Sequence, residues 1–160
     1  MGYKMINHRL ATSLMIIRIT IAAFFGAWAS LKFYRPEWFE NVFTNMYGLE
    51  FVTRDASTYV GAAQVLLVFL FLIGMWRTFS YGALVLMQGA GILGSIPNLI
   101  NYTSYPNNLM WAAVPAFGAA VALFIMRQED AYTIDCLRAH HLGSPILQRS
   151  LRRKNRSPDL

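Results

Sequence analysis

Four polar side chains stand inside or beside long apolar stretches of this chain: Arg18, Gln64, Gln88 and Lys32. A guanidinium, two carboxamides and an ammonium can hold a carbonyl oxygen or an anion, but an Arg–Gln pair does not easily shuttle protons. The apolar stretches contain no His, Cys, Asp or Glu. They therefore offer no ordinary general acid, nucleophile or redox-metal ligand. The four residues are candidates for contact with a ligand or a partner, and no residue is a catalytic candidate.

Arg18 poses the sharpest question, because no acid occurs between Met1 and Pro36. An arginine near the centre of a membrane helix costs about 2.5–3.5 kcal/mol on insertion scales, and less toward the interface. Three arrangements offset that cost. The side chain can snorkel to lipid phosphates. It can turn inward to Gln88 and reach Glu129 or Asp130. It can also meet an anion or carbonyl from outside the chain, such as a partner subunit, a quinone oxygen or a lipid headgroup. Arg18 and Lys32 are fourteen residues apart, nearly four helical turns, so they share roughly one face. Gln88 lies at a depth similar to that of Arg18, and Gln64 lies nearer the opposite side.

The elements that position these groups are apolar helices. Hydrophobic residues make up 56% of the 160, and charged residues only 14%. No acid occurs between Asp55 and Glu129. So few charges could hardly coat a water-exposed fold, so lipid is the expected solvent. Four stretches are long enough to cross it: about 11–33, 57–76, 79–99 and 109–126. Lipid offers no partner to an open backbone, so each is expected to be a helix. The predicted architecture is an all-α integral-membrane four-helix bundle over residues 1–127, followed by a helical and basic tail over 128–160. Spans two and three are joined only by about Arg77–Thr78. The longest connection, 34–56, is aromatic and mixed in charge. It predicts an interfacial amphipathic helix near Pro36–Met46, ended by Gly48, with Trp38 and Phe39 available for lipid or partner docking.

Basic residues orient the bundle. Ten lie on the side of the two termini and three on the other, which places both termini in the cytoplasm. The tail bases Arg152, Arg153, Lys154 and Arg156 are expected to meet anionic lipid or a partner rather than nucleic acid. The apolar run of span one exceeds the usual core of a signal peptide, so it is expected to be retained.

Several motifs resemble chemistry without its context. "GAGILG" (89–94) matches a dinucleotide fingerprint, but it lies inside a predicted span and not between a strand and a helix. Gly82, Gly89, Gly91 and Gly94, with Gly26 in span one, are expected to let helices approach closely. The histidines, His8, His140 and His141, lie outside the spans, so neither an intrinsic haem nor a metal site is expected. The single cysteine, Cys136, excludes an intrachain disulfide.

"LMIIRITIAAFFGAWASLKF" places an arginine at the start, a glycine mid-span and a Lys-Phe ending. "VGAAQVLLVFLFLIGMWRTFSYGALVLM" adds an apolar run, a Gly-x-x-Arg turn and a third span. Over about residues 14–126 this pattern resembles the DoxX-like family of small four-span membrane proteins. The resemblance implies a multi-pass protein of the prokaryotic cytoplasmic membrane. Some members resemble or serve as subunits of quinone-linked oxidoreductases such as thiosulfate:quinone oxidoreductase. Arg18, Gly26, Lys32, Gly74 and Arg77 fall on its recurring positions. The expected function is an accessory or structural subunit of a larger membrane complex, of the quinone-linked redox kind that the resemblance implies. Its partners would be lipids and other integral membrane subunits, with no intrinsic cofactor beyond a bound quinone or lipid. Two alternatives are a quinone-binding oxidoreductase subunit, with quinone beside Arg18 and Gln88, and a small transporter.

Overall fold

The computed structural model describes residues 8–48, 54–105 and 107–139, and those residues are helical with no strand among them. The helices are α1 (His8–Tyr34), α2 (Pro36–Tyr47), α3 (Arg54–Ile73), α4 (Arg77–Gly94), α5 (Ile96–Ile100) and α6 (Ala113–Ile125), with a 3₁₀ helix at Asn107–Ala112 before α6. A short further helical stretch covers residues 134–139.

Local chemistry sets the breaks. α1 ends where Pro36 crowds the residue before it, and Arg35 leaves helical geometry at φ −139°, ψ 65°. Pro36 then opens α2, where its missing N–H costs nothing. Gly48, left-handed at φ 66°, closes that helix by donating its N–H to the carbonyl of Thr44 at 3.2 Å.

Two boundaries differ from the sequence expectation. The link between the second and third long stretches is Gly74–Trp76, and Arg77 and Thr78 already belong to α4. Gly74 (φ 67°) and Trp76 (φ 50°) both take left-handed geometry there. The expected continuous helix over 79–99 is divided at Ser95 (φ −94°, ψ 1°) into α4 and α5. Pro97 cannot donate to the carbonyl of Leu93, and its ring crowds that carbonyl, so the ladder is interrupted. Similarly, Pro115 stands in the first turn of α6, and the chain before it is 3₁₀ rather than α.

Three helices are long and apolar enough to cross a membrane: His8–Tyr34, Asp55–Ile73 and Asn107–Ile125. α4 is less apolar because its 18 residues include Arg77, Tyr81, Gln88 and four glycines.

α1, α3, α4 and α6 share one core, built from residues that include Leu14, Phe25, Phe71, Tyr81, Leu84 and Leu123. The inner face of α1 runs Ala11, Leu14, Arg18, Ile21, Ala22, Phe25 and Ala29, the three- and four-residue spacing of one helical stripe. Arg18, Ser57, Gln64, Ser80, Gln88 and Asp130 are buried, whereas Ile16, Leu66, Phe69, Leu86 and Ile125 are exposed. These polar groups thus face inward, and these large apolar groups face outward.

The glycines divide by environment. A Cβ at Gly82 would lie 3.2 Å from the Phe124 ring and one at Gly89 would lie 3.5 Å from Phe117, so both sit on the α4–α6 contact. Gly94 ends α4. Gly26 and Gly91 have open space where a Cβ would be, so neither admits a close helix contact as expected. The tight approaches are Gly61, against Lys32 and Phe33 at 3.0 Å, and Gly74, against Thr133 at 2.5 Å.

The aromatic face of α2 also departs from expectation. Phe39 is only 2% exposed. It lies under Lys32 Nζ, 5.6 Å from the ring centroid, and beside Phe43. Trp38 packs on Trp28 at 5.6 Å. α1 and α3 cover this face, so Phe39 is not free to dock lipid or a partner.

Gly74→Ala should lower stability by about 2 kcal/mol or more, because a left-handed Ala is strained and its methyl meets Thr133. Gly26→Ala should be neutral or slightly stabilising. Thermal unfolding of the two variants in the same detergent checks this contrast; equal melting points would contradict it.

Candidate functional site

Arg18 finds its acid 112 residues away. Its Nη1 donates to Asp130 Oδ2 at 2.6 Å, and the two side chains are 5% and 0% exposed. The same nitrogen donates to the Tyr81 hydroxyl at 3.3 Å, and that hydroxyl donates to Asp130 Oδ2 at 2.8 Å. Nη2 donates to the backbone carbonyl of Tyr132. Of the arrangements open to Arg18, the structure realises the internal one, with Asp130 as the partner. Gln88 is not part of it.

The segment after α6 makes this possible by folding back against the ends of α1 and α4. Arg77 Nη1 donates to the carbonyls of Arg127 (2.7 Å) and Asp130 (3.0 Å) and so fixes the turn. Asp135 accepts from the backbone N–H groups of Trp76 (3.1 Å) and Arg77 (2.9 Å). Trp76 is left-handed and its side chain caps nothing, so a remote carboxylate serves as the N-cap of α4. Asp135 also lies 3.7 Å from Arg77 Nε. Thr133 Oγ1 accepts from the Cys136 N–H at 3.3 Å and caps the short helical stretch that follows. Asp130 and Thr133 are 0% and 2% exposed. Residues 130–135 thus pack against the ends of α1 and α4, beyond the expected boundary at residue 128. The tail residues Arg152, Arg153, Lys154 and Arg156, with His140 and His141, lie outside the described residues.

This cluster is a clamp in chemical terms. One guanidinium and one carboxylate neutralise each other, and His8, the one histidine among the described residues, meets the Tyr132 hydroxyl at 3.2 Å rather than either charge. Arg18 Nε and Asp130 Oδ1 are buried without a protein partner. Among the described residues, no three of His, Cys, Asp and Glu gather as a metal site would require.

The other three candidates meet elsewhere. Lys32, Gln64 and Gln88 all line a cavity of about 230 Å³ between α1, α2, α3, α4 and the start of α6. Its walls include Phe24, Phe25, Trp28, Trp38, Met87 and Leu109. Gln64 and Gln88 are each 9% exposed. Gln88 Nε2 donates to the carbonyl of Ala113 at 3.1 Å, where the 3₁₀ helix passes into α6. Gly91 and Ser95 also line the cavity, and it is here that the open space beside Gly91 lies. Arg18 and Gln88 do not face one space: Gln88 lines this cavity, while Arg18 bonds Asp130, Tyr81 and the Tyr132 carbonyl.

Two participants were missing from the sequence reading. Tyr81 lies one turn into α4 in an otherwise apolar run, and only the fold brings its hydroxyl to Arg18. Asp135 carried no signal, because nothing local marks it as a cap for a helix that begins 58 residues earlier. Neither family models, nor curated proteins, nor solved structures yield a match to this chain.

Arg18→Gln should destabilise the fold by about 3–5 kcal/mol, because it leaves the Asp130 carboxylate buried and unpaired. Asp130→Asn should cost a similar amount. Arg127→Gln removes donors to exposed or partly buried acceptors and should cost less than about 1 kcal/mol. Chemical or thermal unfolding in detergent reads all three, and an Arg18→Gln protein as stable as Arg127→Gln would refute the clamp.

Proposed function

We propose that the chain is a four-span integral protein of the prokaryotic cytoplasmic membrane, with both termini cytoplasmic. We read it as an accessory subunit of a larger membrane assembly, of the kind the DoxX-like resemblance implies. The observation that carries this reading is the inverted polarity of the helices. Arg18, Gln64, Gln88 and Asp130 are inside, while Leu66, Phe69, Leu86 and Ile125 face out. In water such a surface would be a large exposed apolar patch; in lipid it is the solvated face.

The fourth crossing would be α4 and α5 together. Arg77 to Ile100 at 1.5 Å per residue gives about 36 Å, which covers a hydrocarbon core of about 30 Å even with a bend at Ser95. Trp76 and Trp111 lie near helix ends, where interfacial tryptophans belong.

The accessory role follows from the chemistry of the two polar sites. The ionic cluster is neutralised within the chain and is a structural clamp. The Lys32 cavity can hold a ligand but has no redox centre or proton relay of its own. A second reading, a quinone-holding oxidoreductase subunit, is favoured by the aromatic walls and amide donors of that cavity. On this reading the quinone would sit beside Lys32, Gln64 and Gln88, with the redox centre on a partner.

Reporter tags at the two ends should both report the cytoplasm, and mild-detergent purification should retain stoichiometric membrane partners. Tags in opposite compartments would end the four-span reading. A lone particle that moves solute in liposomes would replace the subunit with a transporter.

A further inference from the structure

We infer that the Lys32 cavity binds the oxyanion head of a single-chain amphiphile, with the head on Lys32 and Gln64 and the chain leaving along the apolar wall. Three observations converge on it. The first is an unmatched charge. Among the described residues the ion pairs are Arg18–Asp130 and Arg77–Asp135, and Lys32 belongs to neither. Its Nζ lies over the Phe39 ring at 5.6 Å, a contact that leaves its hydrogen-bonding donors unspent.

The second observation is Gln64. It is nine-tenths buried, it lines the cavity, and among the described residues its carboxamide has no hydrogen-bond partner. Its amide atoms are not enclosed but open on the cavity, where water or a ligand can satisfy them. Gln88 differs, since one of its donors already holds Ala113. The cavity thus presents one free cation and one free amide to the same space.

The third observation is size. About 230 Å³ is several times the roughly 30 Å³ of a liquid water, yet it is below the roughly 300 Å³ at which pockets begin to enclose whole drug-sized ligands. The space suits a head and the first part of a chain, with the remainder extending past Leu99 and Leu109. A neutral ring would fill the volume but leave the ammonium unmatched. A carboxylate or a phosphate meets it with a charge-assisted hydrogen bond and accepts from the Gln64 amide as well.

This inference does not depend on a partner subunit. A purified protein that binds the anion but captures no partner would fail the subunit reading alone. The test titrates the intact protein in neutral maltoside detergent with 11-bromoundecanoate and with its methyl ester, following quenching of tryptophan fluorescence, since Trp28 and Trp38 line the cavity. The acid should quench saturably, and the ester should bind at least about tenfold more weakly. Lys32→Gln should weaken the acid about tenfold to a hundredfold while leaving the ester unchanged, and Lys32→Arg should restore most of the loss. Competition by undecyl phosphate would identify a lipid phosphate as the natural head, and competition by undecanoate alone would identify a free carboxylate; either supports the site. Equal binding of acid and ester overturns it. So does the absence of saturable quenching, or a decyl-substituted benzoquinone that binds more tightly than the acid. If Lys32→Gln does not fold, the acid–ester comparison on the unaltered protein still decides.

Discussion

The buried pair between Arg18 and Asp130 is the constraint on which the closed end of the molecule depends. Both charges have left solvent, and their mutual attraction offsets that desolvation only because further groups share the load. Tyr81 bridges the two and the Tyr132 carbonyl takes a second guanidinium donor. Asp130 and the Tyr132 carbonyl both require the chain after α6 to turn back, so the pair fixes residues 127–135 as well as the helices. Arg77 holds the carbonyls of that turn, and Asp135 returns the favour by capping α4. Such a network is cooperative: removing one member leaves another buried and unsatisfied.

The opposite end is built on a different balance. There α4 stops at Gly94, Ser95 departs from the helix, and Gly91 contributes no side chain. The helices therefore do not close on one another, and α2 covers part of the gap with Trp38 and Phe39. The cavity is a consequence of these interruptions: Pro97 and Pro115 each break a regular ladder beside it. Where the closed end pairs Arg18 with Asp130 and Arg77 with Asp135, the open end brings Lys32 and Gln64 to a space.

Much of the helical framework was legible in the sequence. The long apolar runs, Pro36 and Gly48 set α1 to α3 nearly where periodicity and capping chemistry put them. Arg18 stood out because a charge in an apolar run demands a partner, and Asp130 was one of the acids within its reach. What the sequence could not reveal was the inner face of each helix. α1 and α3 are apolar on all sides, so no moment of hydrophobicity distinguishes the stripe through Leu14 and Arg18 from the one through Ile16 and Ile19. Without the inner faces, Gln88 was a plausible neighbour of Arg18. In the fold it turns instead toward Ala113 and the cavity. Phe39 was misread for a related reason. An amphipathic helix advertises an apolar face but not what covers it, and here α1 and α3 cover it. The tight glycines were equally hidden, because Gly61 and Gly74 are marked only by side chains, Phe33 and Thr133, that are distant in sequence.

The choice of cation at each end agrees with the two roles. A guanidinium is a planar fork that suits acceptors fixed in advance. Arg18 has such acceptors in a carboxylate, a hydroxyl and a carbonyl, all held by packed backbone. An arginine in the open cavity would leave most of its fork unmet. A lysine is a compact charge on a flexible stem with three rotatable donors, and it can follow an acceptor whose position varies. Lys32 stands where no fixed carboxylate is supplied by the described residues, with its stem against Gly61 and its ammonium over Phe39. The end that must hold still carries the rigid cation, and the end that can accommodate a guest carries the adaptable one.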